Sequence, residues 1–385
     1  MSWIHSETRF KHFRLKMNKV GIAAFGLVKF SLEDKPVESL LLHSVKSLFE
    51  NCPNLTKKDI DGVLVSTNHN SKYLSPILSE ISGIEPKIAH SVENLCNSGS
   101  NAIVSAYSYV ASGLAESVLV SGAERYDSPG KILEWDKSRG EYSHPIYWAS
   151  IFTKSYKQKY AVKDEDLALV SFKNHRQSRE NPNALQSEDY TIEDILNSKK
   201  VTEELRLLEC SRSCTGGAAI LISSEKKIRE LTDCPIWITG IGQKTTSAGF
   251  TKNTLFSSME SSTIAARNAL TMANCQPKEL DVIELHDAFS VCEPMALESI
   301  GLASEGKGMT IVKEGISSNN FKINPRGGLI GAGHPLGATG IAQTIEIMQQ
   351  LQHNADSRQV DSPKKGLIHN MAAASTSSTV LVLEN

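Results

Sequence analysis

Apolar positions along the chain follow two periods. Short, nearly continuous apolar runs at 19–26, 59–66 and 117–122 have the length and β-branched content of strands buried on both faces. Between them, at 37–50, 76–81 and 101–111, apolar residues return every three or four positions, which predicts helices with one buried face. Strand alternating with helix in this way predicts a layered α/β fold with its sheet covered on both sides.

The same plan returns later in the chain. Residues 236–240 read as a strand, 261–273 as a helix and 279–286 as a strand resembling 59–66; a glycine-rich stretch at 333–340 then introduces a helix at 341–352. In such sheets a site is expected at the strand ends where two halves meet. From Tyr126 to Cys210 the chain is charged, rich in Trp and Tyr and poor in strand signal, so it reads as an inserted, largely helical excursion. The expected divisions are an N-terminal extension (1–16), a first half (17–128, completed by 211–235), an inserted loop domain (129–210) and a second half (236–385).

Composition excludes several classes. With 41 basic and 43 acidic residues the net charge is −2, so no nucleic-acid partner is expected. No run of 18 apolar residues occurs, so no membrane span is expected. The seven cysteines are odd in number and scattered, and Cys210 and Cys214 lack the partners of a zinc site, so neither a disulfide framework nor a metal is expected. A reducing cytoplasm fits that pattern. Arg9, Lys11, Arg14 and Lys16 stand against the single acid Glu7, and Met17 reads as the functional start; a mitochondrial location is the alternative if residues 1–16 are a presequence.

Candidate chemistry starts at Cys96, in Ser91-Val92-Glu93-Asn94-Leu95-Cys96-Asn97-Ser98-Gly99-Ser100. It stands at or just before a helix start, where free N–H groups lower a thiol from its usual pKa of about 8.5. A buried structural cysteine is the alternative reading. His286-Asp287-Ala288-Phe289 and Gly333-His334-Pro335 occupy corresponding strand-to-helix turns. A thiol that meets two imidazoles suits acyl transfer, because imidazole accepts the thiol proton near neutral pH.

Asn324-Pro325-Arg326-Gly327-Gly328-Leu329-Ile330, followed by Gly331-Ala332-Gly333-His334-Pro335-Leu336-Gly337-Ala338-Thr339-Gly340, resembles the C-terminal signature of thiolases, especially the sterol-carrier-protein and archaeal type. The stretches around Cys96 and His286 resemble that branch's other motifs, and the match runs from Met17 to the C-terminus. The resemblance implies the thiolase fold: two repeated βαβαβαββ halves in five layers, αβαβα, with an inserted loop domain. It implies that Cys96 takes an acyl group from an acyl-CoA. His334 would activate the thiol and, with His286, hold the thioester oxygen of the second acyl-CoA. The backbone N–H groups of Cys96 and Ala372 would form a second oxyanion hole. Coenzyme A thioesters enter as substrates, with no cofactor permanently bound.

Two departures from the family pattern stand out. The positions where many thiolases carry a second, proton-moving cysteine hold Ala288 and Asn370; Cys292, one helical turn beyond Ala288, is the candidate replacement. In His369-Asn370-Met371-Ala372-Ala373-Ala374-Ser375, alanines stand where glycines are usual. The leading expectation is acetyl-CoA C-acetyltransferase (acetoacetyl-CoA thiolase) activity. The alternatives are a decarboxylating ketoacyl-synthase-like condensation, which needs no α-proton base, and a non-catalytic thiolase-like subunit of an acyl-transfer complex. Expected partners are a second copy, as homodimer or homotetramer, and, by likeness to the archaeal branch, a hydroxymethylglutaryl-CoA synthase with a small OB-fold scaffold protein.

Overall fold

The computed structural model describes residues 18–128, 144–185, 188–248, 256–318, 321–373 and 375–385. The basic segment 1–16, Met17 and part of the expected insertion (129–143, 186 and 187) lie outside the described residues.

The first half runs β1 (Val20–Ser31), α1 (Val37–Glu50), β2 (Gly62–Ser66), α2 (Leu74–Ser82), β3 (Ile88–Val92), α3 (Ser98–Ala111) and β4 (Ser117–Glu124). Three helices follow, α4 (Pro145–Tyr160), α5 (Asp164–Ser178) and α6 (Ile192–Asn197), before β5 (Thr215–Ser224) pairs with both β1 and β4. After α7 (Glu225–Leu231), the second half runs β6 (Ile236–Thr245), α8 (Glu260–Met272), β7 (Val282–Glu284), α9 (Cys292–Ile300), α10 (Gly308–Ser318), α11 (Gly328–Ala332), α12 (Leu336–Leu351), β8 (Lys365–Ala372) and β9 (Ser377–Glu384).

The strand order β3-β2-β4-β5-β1-β6-β9-β8-β7 shows the duplication directly. Read outward from β1, the first half runs β1-β5-β4-β2-β3; read outward from β6, the second runs β6-β9-β8-β7. Among the described residues the second half has four strands, and a parallel bridge from Ile283 to Ile323 lies where the first half has its fifth. Within the sheet, among the described residues, the strands of the two halves pair where β1 meets β6, through Gly21–Trp237 and Ile22–Ile236.

Burial sorts the helices into layers. Leu41, Leu48 and Leu78 of α1 and α2 cover one face of the first sheet, against Val63 and Leu119. Ile103 and Ala106 of α3 and Ile341, Ile345 and Met348 of α12 fill the space between Val120 and Ile220 of the first half and Ile368 and Leu381 of the second. Ala265 and Ala269 of α8 cover the far face, against Val380 and Val382. The order is therefore helix, sheet, helix, sheet, helix. Every residue of α12 from Leu336 to Met348 is buried, the signature of a helix enclosed on all sides.

Two elements differ from their sequence pattern. The strand expected at 279–286 has only three residues, Val282–Glu284, because the chain leaves the sheet to carry His286 into the interior. The helix expected at 341–352 begins at Leu336. Its first turn carries Gly337 and Gly340, poor helix formers by propensity; here Gly340 lets α12 cross α3 backbone to backbone, and Gly337 lets that turn sit against the end of β2. A Cβ on Gly337 would lie 2.6 Å from Ser66 O, and one on Gly340 would lie 2.7 Å from Ser100 N. Tertiary packing has overridden propensity. Among the described residues no helix is long and apolar enough to cross a membrane.

Gly340→Ala should push α12 off α3, with an expected loss of about 1–3 kcal/mol in denaturant unfolding. Unchanged stability would show that this crossing tolerates a methyl group.

Candidate active site

Cys96 lies in a single short turn, Leu95–Asn97, between β3 and α3. Leu95 holds φ +49°, a left-handed conformation that costs a residue with a Cβ about 1–2 kcal/mol. Side chains hold the turn in that shape. Ser98 Oγ accepts from Asn94 N at 2.8 Å and donates to Leu95 O at 2.6 Å, while Asn68 Nδ2 donates to Leu95 O at 2.9 Å. From the opposite half, Thr379 Oγ1 accepts from Asn97 Nδ2 at 3.0 Å and Ser377 Oγ from Asn94 Nδ2 at 3.1 Å. The turn is thus pinned by strand β9 of the second repeat.

His286 follows β7, and its neighbour Asp287 fixes the loop that carries His334. Asp287 Oδ1 accepts from Leu329 N at 2.7 Å, at the start of α11, and Asp287 Oδ2 accepts from Asn174 Nδ2 of α5 at 2.7 Å. Asn174 and Asn324 both donate to Glu293 Oε2 at 2.9 Å, and Lys173 Nζ lies 2.8 Å from Glu293 Oε1. The inserted helix α5 is therefore tied to both histidine loops by buried polar bonds. Gly333, at φ +97°, then turns the chain so that His334 N donates to Arg212 O at 2.9 Å.

These turns bring together three residues distant in sequence. Donor atoms of Cys96, His286 and His334 all lie within 4.8 Å of one another, and the two imidazoles meet edge to face at 5.0 Å and 87°. His334 Nδ1 lies 2.8 Å from Thr339 Oγ1 and His286 Nδ1 lies 3.2 Å from Asn370 Nδ2, so each ring has Nε2 left for the cluster. A thiol and two imidazoles at this spacing also form a three-donor set suited to a soft divalent cation such as zinc.

Beside the cluster is a cavity of about 50 Å³ whose walls are almost wholly apolar. Cys96, His286 and Cys292 reach it, and Phe152 of α4, Phe289 and Met371 close it. Ala288 lines it as well, so the position that lacks the family's cysteine does face the site. Ala372 ends β8 opposite Ser377, and both its chain neighbours, Met371 and Ala373, line the cavity with Cys96.

Burial dominates the electrostatics. The Cys96 thiol is pushed up to about 12, first by its apolar surroundings and then by Glu124 and Glu93, against the pull of its own N–H. This corrects the expectation of a thiol lowered by a helix start: the turn supplies N–H groups, but loss of water outweighs them. His334 is pushed down to about 3 by burial and by the Arg326 guanidinium, and His286 is lowered well below its usual value by burial and by His334. The resting cluster is a neutral thiol beside two neutral imidazoles. The Cys292 thiol is likewise pushed up to about 12 by burial.

Sequence reasoning did not anticipate Glu124, Asn174, Thr339 or Gln343 as parts of this site. Glu124, at the end of β4, accepts from Asn68 N at 2.8 Å and from Gly337 N at 3.2 Å, so it caps the start of α12. The one legible signal was Glu124 as a lone acid ending an apolar strand, a position where a buried carboxylate must find N–H donors.

A duplicated α/β protein with a thiol and two imidazoles at the junction of its halves defines the thiolase fold. The chain belongs to the thiolase family: the thiolase N-terminal domain matches residues 20–204 and the thiolase C-terminal domain-like family residues 242–385. It is 31% identical to an acetyl-CoA acetyltransferase of Methanothermobacter thermautotrophicus over 80% of this chain and 83% of that one. It is 32% identical to human sterol carrier protein 2 over 73% of this chain, a match that spans 55% of that protein. Among solved structures it resembles an Ltp2-ChsH2(DUF35) aldolase, at a TM-score of 0.84 and 21% identity, covering 96% of this chain and 98% of that one.

The loop after β8 keeps its tight turn without glycine. Ala373 holds φ +44°. Ala373→Gly should relieve this strain and raise the unfolding midpoint, worth about 0.5–1 kcal/mol once the greater freedom of glycine in the unfolded chain is subtracted. A lower midpoint would mean that the Ala373 methyl contributes more through packing than its backbone costs.

Proposed function

We propose that the chain is an acetyl-CoA C-acetyltransferase that makes or cleaves acetoacetyl-CoA through a thioester on Cys96. The observation that carries this reading is the Cys96, His286 and His334 cluster facing a small apolar cavity. A volume of about 50 Å³ suits an acyl group of very few carbons. Likeness to an archaeal acetyl-CoA acetyltransferase over most of both chains supports the same substrate.

In the condensing direction, Cys96 Sγ attacks the carbonyl of acetyl-CoA while His334 Nε2 takes the thiol proton. The bond from carbonyl carbon to coenzyme A sulfur breaks, and the departing sulfur takes that proton. A second acetyl-CoA then loses an α-proton to the minor thiolate form of Cys292, and its enolate oxygen is held by His286 and His334. Its carbon attacks the acetyl-Cys96 carbonyl, whose oxygen faces the N–H groups of Cys96 and Ala372. Cleavage of the S–C bond releases acetoacetyl-CoA, and Cys96 takes up the α-proton that Cys292 received.

Cys292 is our candidate for moving the α-proton, since it lines the same cavity as Cys96. In the cleaving direction it acts as an acid, delivering its proton to the enolate carbon of the departing acetyl-CoA. A thiol held near 12 keeps that proton until a stronger base forms beside it. The likeness to an aldolase named for two components gives weight to a second reading, in which the chain works inside a multi-protein acyl-transfer assembly. A homo-oligomer with coenzyme A thioesters as transient substrates fits either reading.

Two variants test the mechanism. Cys96→Ala should lower thiolysis of acetoacetyl-CoA by about 10⁴-fold or more, as loss of a nucleophile does elsewhere; thiolysis persisting near the wild-type rate would end the Cys96 mechanism. Cys292→Ala should keep the exchange of acetyl between coenzyme A molecules, which needs no α-proton, and lose about 10²–10⁴-fold in acetoacetyl-CoA cleavage. Equal rates for both reactions would remove Cys292 from the proton path. If wild-type chain alone is inactive and gains activity on adding a candidate partner, the assembly reading takes precedence.

A further inference from the structure

The two histidines of the site are held by side chains of different chemistry, and that difference decides which ring nitrogen carries the proton. His334 Nδ1 meets Thr339 Oγ1 at 2.8 Å. A hydroxyl donates or accepts, so it serves either neutral form of His334. His286 Nδ1 instead meets an amide, at 3.2 Å from Asn370 Nδ2.

The orientation of that amide is fixed by a directional chain. His369 O is a backbone carbonyl and accepts only. Gln343 Nε2 faces it at 3.5 Å, which turns Gln343 Oε1 toward Asn370. That oxygen accepts from Asn370 Nδ2 at 2.7 Å, so the NH₂ of Asn370 points toward Gln343 and offers its second hydrogen to His286 Nδ1. Reversing the Asn370 amide alone would set two carbonyl oxygens against each other, whereas the orientation seen leaves Asn370 Oδ1 as the amide's one atom without a partner. All three side chains are buried, Asn370 and Gln343 completely, so no solvent exchange relaxes the arrangement. With the amides so placed, His286 Nδ1 accepts and its proton sits on Nε2, the nitrogen left for the cluster.

We propose that Asn370 and Gln343 form a tautomer lock that makes His286 a fixed N–H donor, while Thr339 leaves His334 free to exchange its proton. Asn370 is a positioning residue that acts through His286. The purpose of the lock rests on the acyl-transfer reading above; its geometry does not. The fixed donor serves the enolate oxygen and the exchangeable ring serves the Cys96 thiol. The lock also gives position 370 a role that a second cysteine cannot fill, since a thiol has one weak donor and cannot serve Gln343 and His286 together.

The test is nitrogen NMR on full-length protein labelled with ¹⁵N-histidine, with His286 assigned by comparison with a His286→Gln sample. Wild type should show an unprotonated, pyridine-like Nδ1 and a protonated, pyrrole-like Nε2 for His286. Asn370→Asp keeps the shape and replaces the donor with an acceptor, so the proton should move to Nδ1. The same variant should lose about 10²–10³-fold in acetoacetyl-CoA cleavage, the scale of one oxyanion donor, while acetyl exchange between coenzyme A molecules stays within a few-fold. A proton on Nδ1 in wild type overturns the proposal, as does an unchanged tautomer in Asn370→Asp or equal loss of both reactions. Should Asn370→Asp fail to fold, Gln343→Leu frees the Asn370 amide and should give a mixture of both tautomers; a single Nε2–H form there overturns the lock. The expected wild-type spectrum from a protein that turns over no acyl-CoA would support the lock and remove the acyl-transfer reading.

Discussion

The close crossing of α3 and α12 is the constraint on which the site depends. Cys96 stands two residues before the first helix and His334 two before the second, so the distance between thiol and imidazole is set by how near the two helix starts approach. Glycines at 99 and 340 remove the side chains that would hold the two helices apart, and Gly337 lets the first turn of α12 sit against the end of β2. Ser66 Oγ donates to Gly337 O at 2.7 Å and Glu124 accepts from Gly337 N, so the first repeat grips the opening turn of the second repeat's helix. Duplication alone would supply two similar turns. The glycine contact turns them into a single reaction centre.

A second set of bonds keeps the histidine loops still. Asp287, Asn174, Asn324, Glu293 and Lys173 are all buried, and each satisfies a neighbour that would otherwise be an unpaired polar group. Such a network is stiff because losing one member leaves charge uncompensated in a dry interior, at a cost of about 3–5 kcal/mol for a broken buried ion pair. It also links α5 of the insertion to residues beside the reacting groups. The insertion is therefore part of the support of the site, and Phe152 of α4 makes it part of the cavity wall as well.

Much of the architecture was legible in the sequence because the chain repeats a strong pattern. The strands at 59–66 and 117–122 and the helix at 37–50 carry clear periods, and the glycine-rich block around His334 is specific enough to name the family. The opening turn of α12 was not legible: Leu336-Gly337-Ala338-Thr339-Gly340 reads locally as a loop, and only its neighbours make it helical. The roles of Asn370 and Gln343 were hidden for a related reason. They lie 27 residues apart on a strand and a helix, and a hydrogen bond between such elements leaves no local pattern. Asn370 drew notice only as the place where a cysteine was missing.

The charge state of Cys96 shows how far local reasoning extends. A helix start favours a thiolate, and that argument holds for an exposed thiol. Here Phe152, Phe289 and Met371 surround a half-buried thiol with apolar surface, so the cost of a bare charge exceeds what a few N–H groups return. His334 is held neutral by the same burial, which leaves its Nε2 lone pair available but weakens it as a base. On the acyl-transfer proposal, a thiolate that forms only as the acyl carbon arrives would never stand unpaired in that apolar space, because its charge would pass at once to the thioester oxygen and the N–H groups around it. The enclosed cavity therefore favours coupled proton transfer and attack over a standing thiolate, and a histidine with fixed donor geometry matters more there than one that is merely near.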